Sequence, residues 1–134
     1  MTDFREEFGK SLGTGFIDKS IVSKKEYHPR LLTNDKSAGK KVLTTINAEL
    51  KNCDAFWFSV AFITTSGIAT LINTLVELEN KGVEGKVLVS QYLNFTQPEA
   101  LKKLLKFKNI ELIIAVGNNF HSRVICLKMT GFTI

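Results

Sequence analysis

Ala55-Phe-Trp-Phe-Ser-Val-Ala-Phe62 is an uncharged run of aromatic, β-branched and small residues. Its apolar side chains fall on both sides of the pleat, which predicts a strand buried on both faces in a sheet that helices cover. Before it, Asn34 to Lys51 opens polar and then carries Leu43, Ile46, Asn47 and Leu50 on one face, the pattern of an amphipathic helix. After it, Thr65 or Ser66 can cap a helix whose face is Ile68, Leu71, Ile72, Leu75 and Leu78, with Gly82 to end it. Lys86 to Gln91 reads as a second strand. Thr96-Gln-Pro-Glu99 matches a T-x-x-E capping box with Pro98 in the first turn, and predicts a helix to about Lys106 with Leu101, Leu104 and Leu105 inward. Ile110 to Val116 is a third strand, Gly117-Asn118-Asn119 turns the chain, and Phe120 to Cys126 resembles a fourth. The order α-β-α-β-α-β-turn-β predicts a layered α/β/α protein with a largely parallel or mixed sheet and right-handed crossovers.

The first thirty residues are less regular. Phe4, Phe8, Leu12 and Phe16 recur at helical spacing, but Gly9, Gly13 and Gly15 weaken a helix there. His28-Pro29 then favours an extended or turning chain.

A chain of 134 residues holds one domain at most and can bury a core without staples. Hydrophobic residues at 44% and charged residues at 23% exclude a disordered chain and a collagen-like repeat. Cys53 and Cys126 lie far apart, which excludes a disulfide scaffold and a cysteine-based zinc site. Lys+Arg 18 against Asp+Glu 13 gives a net charge of +5, compatible with a polyanionic partner. Lys102, Lys103, Lys106 and Lys108 form the densest basic run, with no acid between Ala100 and Ile110. The N-terminus lacks a signal-peptide core, and Thr64-Thr65-Ser66-Gly67 interrupts the uncharged stretch from Ala55 to Val76. A reduced, cytoplasmic protein with no membrane span is the expectation.

Most catalytic motifs are absent. There is no GxxxxGK[ST] phosphate loop and no GxSxG elbow. Gly13-Thr-Gly15 lacks the third glycine of a dinucleotide fingerprint. Phe120-His121-Ser122-Arg123 is the exception. It follows a strand and a turn, where α/β sheets gather their ligand sites. A neutral imidazole can attack phosphorus, and Arg123, two residues on, would project from the same side of a strand as His121. A guanidinium offers phosphate a planar fork.

Several pieces together carry a family resemblance: Gly15-Phe-Ile-Asp18, Tyr27-His-Pro-Arg-Leu-Leu-Thr-Asn34, Phe58-Ser-Val-Ala-Phe62 with Ser66-Gly67, Phe95-Thr96 with Pro98-Glu-Ala-Leu101, and Phe120-His121. In order and spacing, the chain resembles the phospholipase D-like domain at the N-terminus of some bacterial superfamily II DNA/RNA helicases and of related restriction endonucleases. The resemblance implies a mixed sheet flanked by helices and phosphodiester hydrolysis without a metal or cofactor. The family's signature, H-x-K-x-x-x-x-D, occurs twice. One histidine attacks phosphorus, the other protonates the leaving oxygen, and the lysines hold the phosphate charge.

By this resemblance, His121 matches the nucleophile. Arg123 stands where lysine is expected, and Lys128 where aspartate is expected, a reversal of sign. No second signature is present. The resemblance therefore implies a lead segment over residues 1–30 and an incomplete phospholipase D-like domain over residues 31–134, a single domain overall. Reverse translation of Arg123 to Ile134 into AT-rich codons, with one added nucleotide, restores the Lys-Gly-Tyr continuation usual in the family. A shifted reading frame from Arg123 onward, in a longer parent, is the matching expectation.

The expected function is a nuclease-like phosphodiesterase module of a helicase, weak or inactive as this fragment. His121 and Arg123 would be its catalytic pair, and Lys102, Lys103, Lys106 and Lys108 its nucleic-acid contacts. The alternatives are a catalytically dead DNA-binding or assembly module and a plain α/β domain whose role lies elsewhere. The expected partner is nucleic acid, DNA ahead of RNA. Val124 to Leu127 is expected to pair as an edge strand, and an open edge would favour a homodimer.

Overall fold

Alternation along the strand from Ala55 to Val60 (β1) sets the two faces of the sheet. Phe56 and Phe58 are buried on one side, while Trp57 on the other is 41% exposed. A computed structural model describes residues 3–16, 18, 20–25, 31–90, 94–117 and 123–129. These fall into two units, one up to Val42 and the other from Leu43 onward.

The second unit carries the sheet. β1 pairs in parallel with β2 (Glu84–Ser90), and β2 pairs in parallel with β3 (Ile110–Ala115). β4 (Arg123–Lys128) runs antiparallel to β1, so the spatial order is β3-β2-β1-β4 and the sheet is mixed. The α/β class expected from the alternating elements is the one found. The expected edge strand over Val124 to Leu127 is also found, within β4.

Four helices belong to this unit: α2 (Val42–Lys51), α3 (Thr65–Ala69), α4 (Ile72–Asn80) and α5 (Pro98–Leu104). Leu50, Ile68, Leu75, Leu78, Ala100 and Leu104 from these helices form one core with Phe56, Phe58, Val87 and Val89. α2 lies against α4. Thr74 donates to the Asn47 amide oxygen at 2.8 Å, and Lys51 pairs with Glu77 at 3.0 Å.

The expectation that β1 is buried on both faces is corrected here. Trp57 shares the second face with Ile113 (42% exposed) and Val124 (50% exposed). The reason is topological. Two right-handed crossovers advancing in the same direction across a sheet, β1 to β2 to β3, set their helices on the same face. An apolar run along a strand reports residue type, and the position of the neighbouring elements decides burial.

Local chemistry moved three element boundaries. The single helix expected from Thr65 to Gly82 is two, because the chain breaks at Thr70-Leu71, where Thr70 donates its hydroxyl to the Gly67 carbonyl at 2.7 Å. Its cap is Thr64, which accepts from the Gly67 N–H at 3.1 Å, and neither Thr65 nor Ser66. The helix expected from Asn34 begins only at Val42, whose N–H donates to the Asn34 amide oxygen at 2.9 Å. Between them Asp35 and Lys40 close a small bridged turn.

The first unit holds α1 (Phe4–Phe16), a helix in spite of its glycines. Its buried positions include Glu7, Ser11 and Gly13, and Phe8 and Leu12 stay half exposed. Ile21 approaches Gly13 so closely that an added Cβ would meet it at 2.9 Å. His28-Pro29 lies outside the described residues. Among the described residues no helix is long and apolar enough to cross a membrane.

Candidate functional site

The carboxyl ends of β1 and β2 carry a set of interlocked polar and aromatic groups. Ser90, at the end of β2, is buried and donates its hydroxyl to the Ala61 carbonyl at 3.1 Å. The Ser90 carbonyl in turn accepts from the Thr96 hydroxyl at 3.1 Å. Gln97 joins the two loops. Its N–H donates to the Ile63 carbonyl at 2.9 Å, and its amide oxygen accepts from the Thr65 N–H at 2.7 Å.

This use of Thr96 overturns the capping box expected over Thr96-Gln-Pro-Glu99. The N-cap of α5 is Gln97, with Pro98 in the first turn. The Thr96 hydroxyl is spent on Ser90, because the loop must close back on the sheet.

Arg123 enters this edge from the other direction. β4 is antiparallel, so its first residue lies beside the last residue of β1, Val60. The Arg123 guanidinium stands over the Phe62 ring, 5.5 Å from its centroid. Phe95 meets Phe62 edge-on, with centroids 5.7 Å apart and planes at 62°. Arg123 is exposed and pairs with no carboxylate among the described residues. A guanidinium so placed can take a phosphate through two parallel hydrogen bonds. His121 lies outside the described residues, two positions before Arg123 in sequence.

The lysine run lies elsewhere. α5 leaves the carboxyl edge at Pro98 and returns toward the start of the strands, with Lys102 and Lys103 in its last turn. Lys108 lines a cavity with Ala55, Glu84 and Ile110, the first residues of β1, β2 and β3. Its N–H donates to Glu79 at 2.7 Å. Lys103 is half-buried, while Lys102, Lys106 and Lys108 are exposed. At about 3.3 Å per residue, the length of β1 puts roughly 17 Å between the levels of Arg123 and Lys108. The structure brings Arg123 together with Phe62 and Phe95, and places Lys108 at the opposite end of the sheet.

Lys128 is also remote. It pairs with Ala55 at the start of β1, and its carbonyl accepts from the Asp54 N–H at 2.7 Å. Lys128 therefore sits at the opposite end of β4 from Arg123. Cys53 is buried and donates its thiol to the Leu50 carbonyl at 3.0 Å. Burial pushes that thiol above its ordinary pKa, which suits a core residue and not a nucleophile. Among the described residues no three His, Cys, Asp or Glu side chains gather to hold a metal.

Sequence reasoning named Arg123 and missed Phe62, Phe95, Gln97 and Ser90 as residues of this edge. No local signal marked them: Phe62 reads as the last residue of the expected strand Ala55–Phe62, and Phe95 follows the second strand without any motif of its own. Neither a family model nor a curated protein matches this chain.

Proposed function

We propose that this chain is a nuclease-like phosphodiesterase module of a superfamily II helicase, acting on nucleic acid in the cytoplasm, DNA ahead of RNA. One observation carries the reading. Segments distant in sequence, Val60–Ile63, Thr65, Phe95–Gln97 and Arg123, meet at the carboxyl edge of the sheet, with an exposed guanidinium among them. Two of these segments overlap pieces that carry the resemblance to phospholipase D-like domains, Phe58–Phe62 and Phe95-Thr96, and Arg123 holds the position where that family has lysine. Parallel sheets bind ligands at that edge.

In the proposed chemistry the His121 imidazole attacks phosphorus. A nitrogen–phosphorus bond forms as the phosphorus–oxygen bond to the leaving group breaks. Arg123 holds the charge of the non-bridging oxygens. The leaving oxygen takes a proton from a second histidine, supplied by a second copy of the chain; water, giving its proton back to that histidine, then attacks phosphorus, the nitrogen–phosphorus bond breaks, and a phosphomonoester end leaves His121. No metal takes part.

Plasmid nicking in EDTA tests this reading. Cleavage that survives the chelator and disappears in His121→Ala is the expected outcome. Arg123→Gln should lower the rate about 100- to 1,000-fold, the usual loss on removing one group that stabilises developing charge. Cleavage that persists in His121→Ala removes the reading.

A second reading, nucleic-acid binding without hydrolysis, is favoured by Lys128. A cation stands where the signature needs an acid, and its backbone is committed to the far edge of the sheet. Binding by the wild type with no nicking at any protein concentration supports this alternative.

A further inference from the structure

Asn94 is the one residue other than glycine with a positive φ among the described residues, at 57°. Asparagine tolerates that conformation, and the chain turns sharply there just before Phe95. Phe95 remains 53% exposed at the carboxyl edge of the sheet. Its ring is set in advance. Phe62 stands edge-on to it, and Arg123 stands over Phe62. The loops bearing the two rings are tied by Gln97 to Ile63, by Gln97 to Thr65 and by Thr96 to Ser90. A ring fixed in this way loses little side-chain freedom when something stacks on it.

An exposed aromatic ring with a guanidinium nearby matches the two repeating parts of an oligonucleotide. A base offers a flat π-face, and the linkage next to it offers a phosphate. The separation from the Phe95 centroid to the guanidinium is at most the sum of the two measured contacts through Phe62, within reach of a flexible strand. A duplex keeps its base faces stacked inside and would have to extrude a nucleotide to use the ring.

We infer that Phe95, backed by Phe62 and Arg123, is a stacking platform for an unpaired base, so that the nucleic acid taken at this edge is single-stranded. The inference rests on the phosphodiesterase reading and narrows its substrate class.

Fluorescence anisotropy on the full chain tests it, with one labelled oligonucleotide used both as a single strand and annealed in its duplex at the same salt. The single strand should bind at least tenfold tighter than the duplex. Phe95→Ala should weaken the single strand about tenfold and leave the duplex within twofold, while Phe95→Trp, which keeps a stacking face, should retain wild-type binding. Phe95 is half exposed, and an unchanged thermal transition would confirm that the alanine variant folds. Equal affinity for strand and duplex, or equal weakening of both in Phe95→Ala, overturns the platform and leaves the phosphodiesterase reading standing. Failure of the wild type to bind either form overturns both.

Discussion

Gly85 shows how closely a single side chain can be specified. It pairs with Phe56 across β1 and β2, and the Phe56 ring lies over it. An added Cβ would fall inside the contact distance of Phe56 Cζ, and Phe56 is fully buried, so its ring would have to shift within the core. Gly85→Ala should lower unfolding free energy by about 1–3 kcal/mol, the usual range for overpacking a tight core. A denaturation midpoint indistinguishable from wild type would show that the ring can move.

Asp35 makes a second residue-level case. Its carboxylate accepts from the Ser37 hydroxyl at 2.6 Å, and from the N–H groups of Ser37 at 2.9 Å and Ala38 at 3.1 Å. These bonds, the Ser37 hydroxyl first, hold the Asp35 carboxyl below its ordinary pKa. A depressed folded pKa contributes stability above the unfolded value, and that contribution is lost as pH falls through the folded one. Carboxyl carbon shifts followed against pH should therefore place the Asp35 midpoint below that of an unstructured aspartate. Ser37→Ala should raise it, and a wild-type midpoint at the ordinary value would remove the turn's electrostatic role.

Among the elements, those with a strong apolar period were readable from sequence, and those set by competing hydrogen bonds were not. β1, β2 and β3 lie within two residues of their expected limits, because apolar β-branched runs have few other stable uses. Gly82 ends α4 as expected: it takes a φ of 71°, and the Val83 N–H returns to the Leu78 carbonyl at 2.9 Å. The division between α3 and α4 was not readable, since the apolar residues Ile68, Leu71, Ile72 and Leu75 keep helical spacing across it. A hydroxyl bonding back to the helix leaves no mark on that pattern.

β4 gives the prediction at this level. It has β1 on one side and stands at the edge of the sheet. In amide hydrogen exchange, alternate N–H groups from Arg123 to Lys128, those directed at β1, should be slow and the others fast. Slow exchange at both sets would reveal a further strand on this edge, the homodimer contact that an open edge invites. Fast exchange at every amide would contradict the pairing with β1.

Across the whole sheet unit, the arrangement separates two charged regions that sequence reasoning had joined. Arg123 stands at the carboxyl edge with Phe62, and Lys108 at the amino edge with Ala55 and Glu84. On the proposed function, the lysines could therefore meet only a strand long enough to run along α5 as well as across the edge. On a long single strand, Lys106→Gln with Lys108→Gln should flatten the slope of log K against log salt by up to about 0.7 for each phosphate that no longer meets a cation. An unchanged slope would show that the strand does not follow α5, and would leave these lysines as a solvated surface.

The amino-acid pattern was sufficient for the four strands, their alternation with helices and the α/β class, because periodicity and residue type act over a few neighbouring positions. It also singled out Arg123, two residues after His121, which the fold places at the carboxyl edge of the sheet. It did not show that β1 would leave Trp57 half exposed, that Lys108 would lie at the opposite edge from Arg123, or that Phe62 would meet Phe95 and lie under a guanidinium. Those outcomes follow from strand order and crossover direction. They bring together residues separated by tens of positions, and no local pattern encodes that meeting.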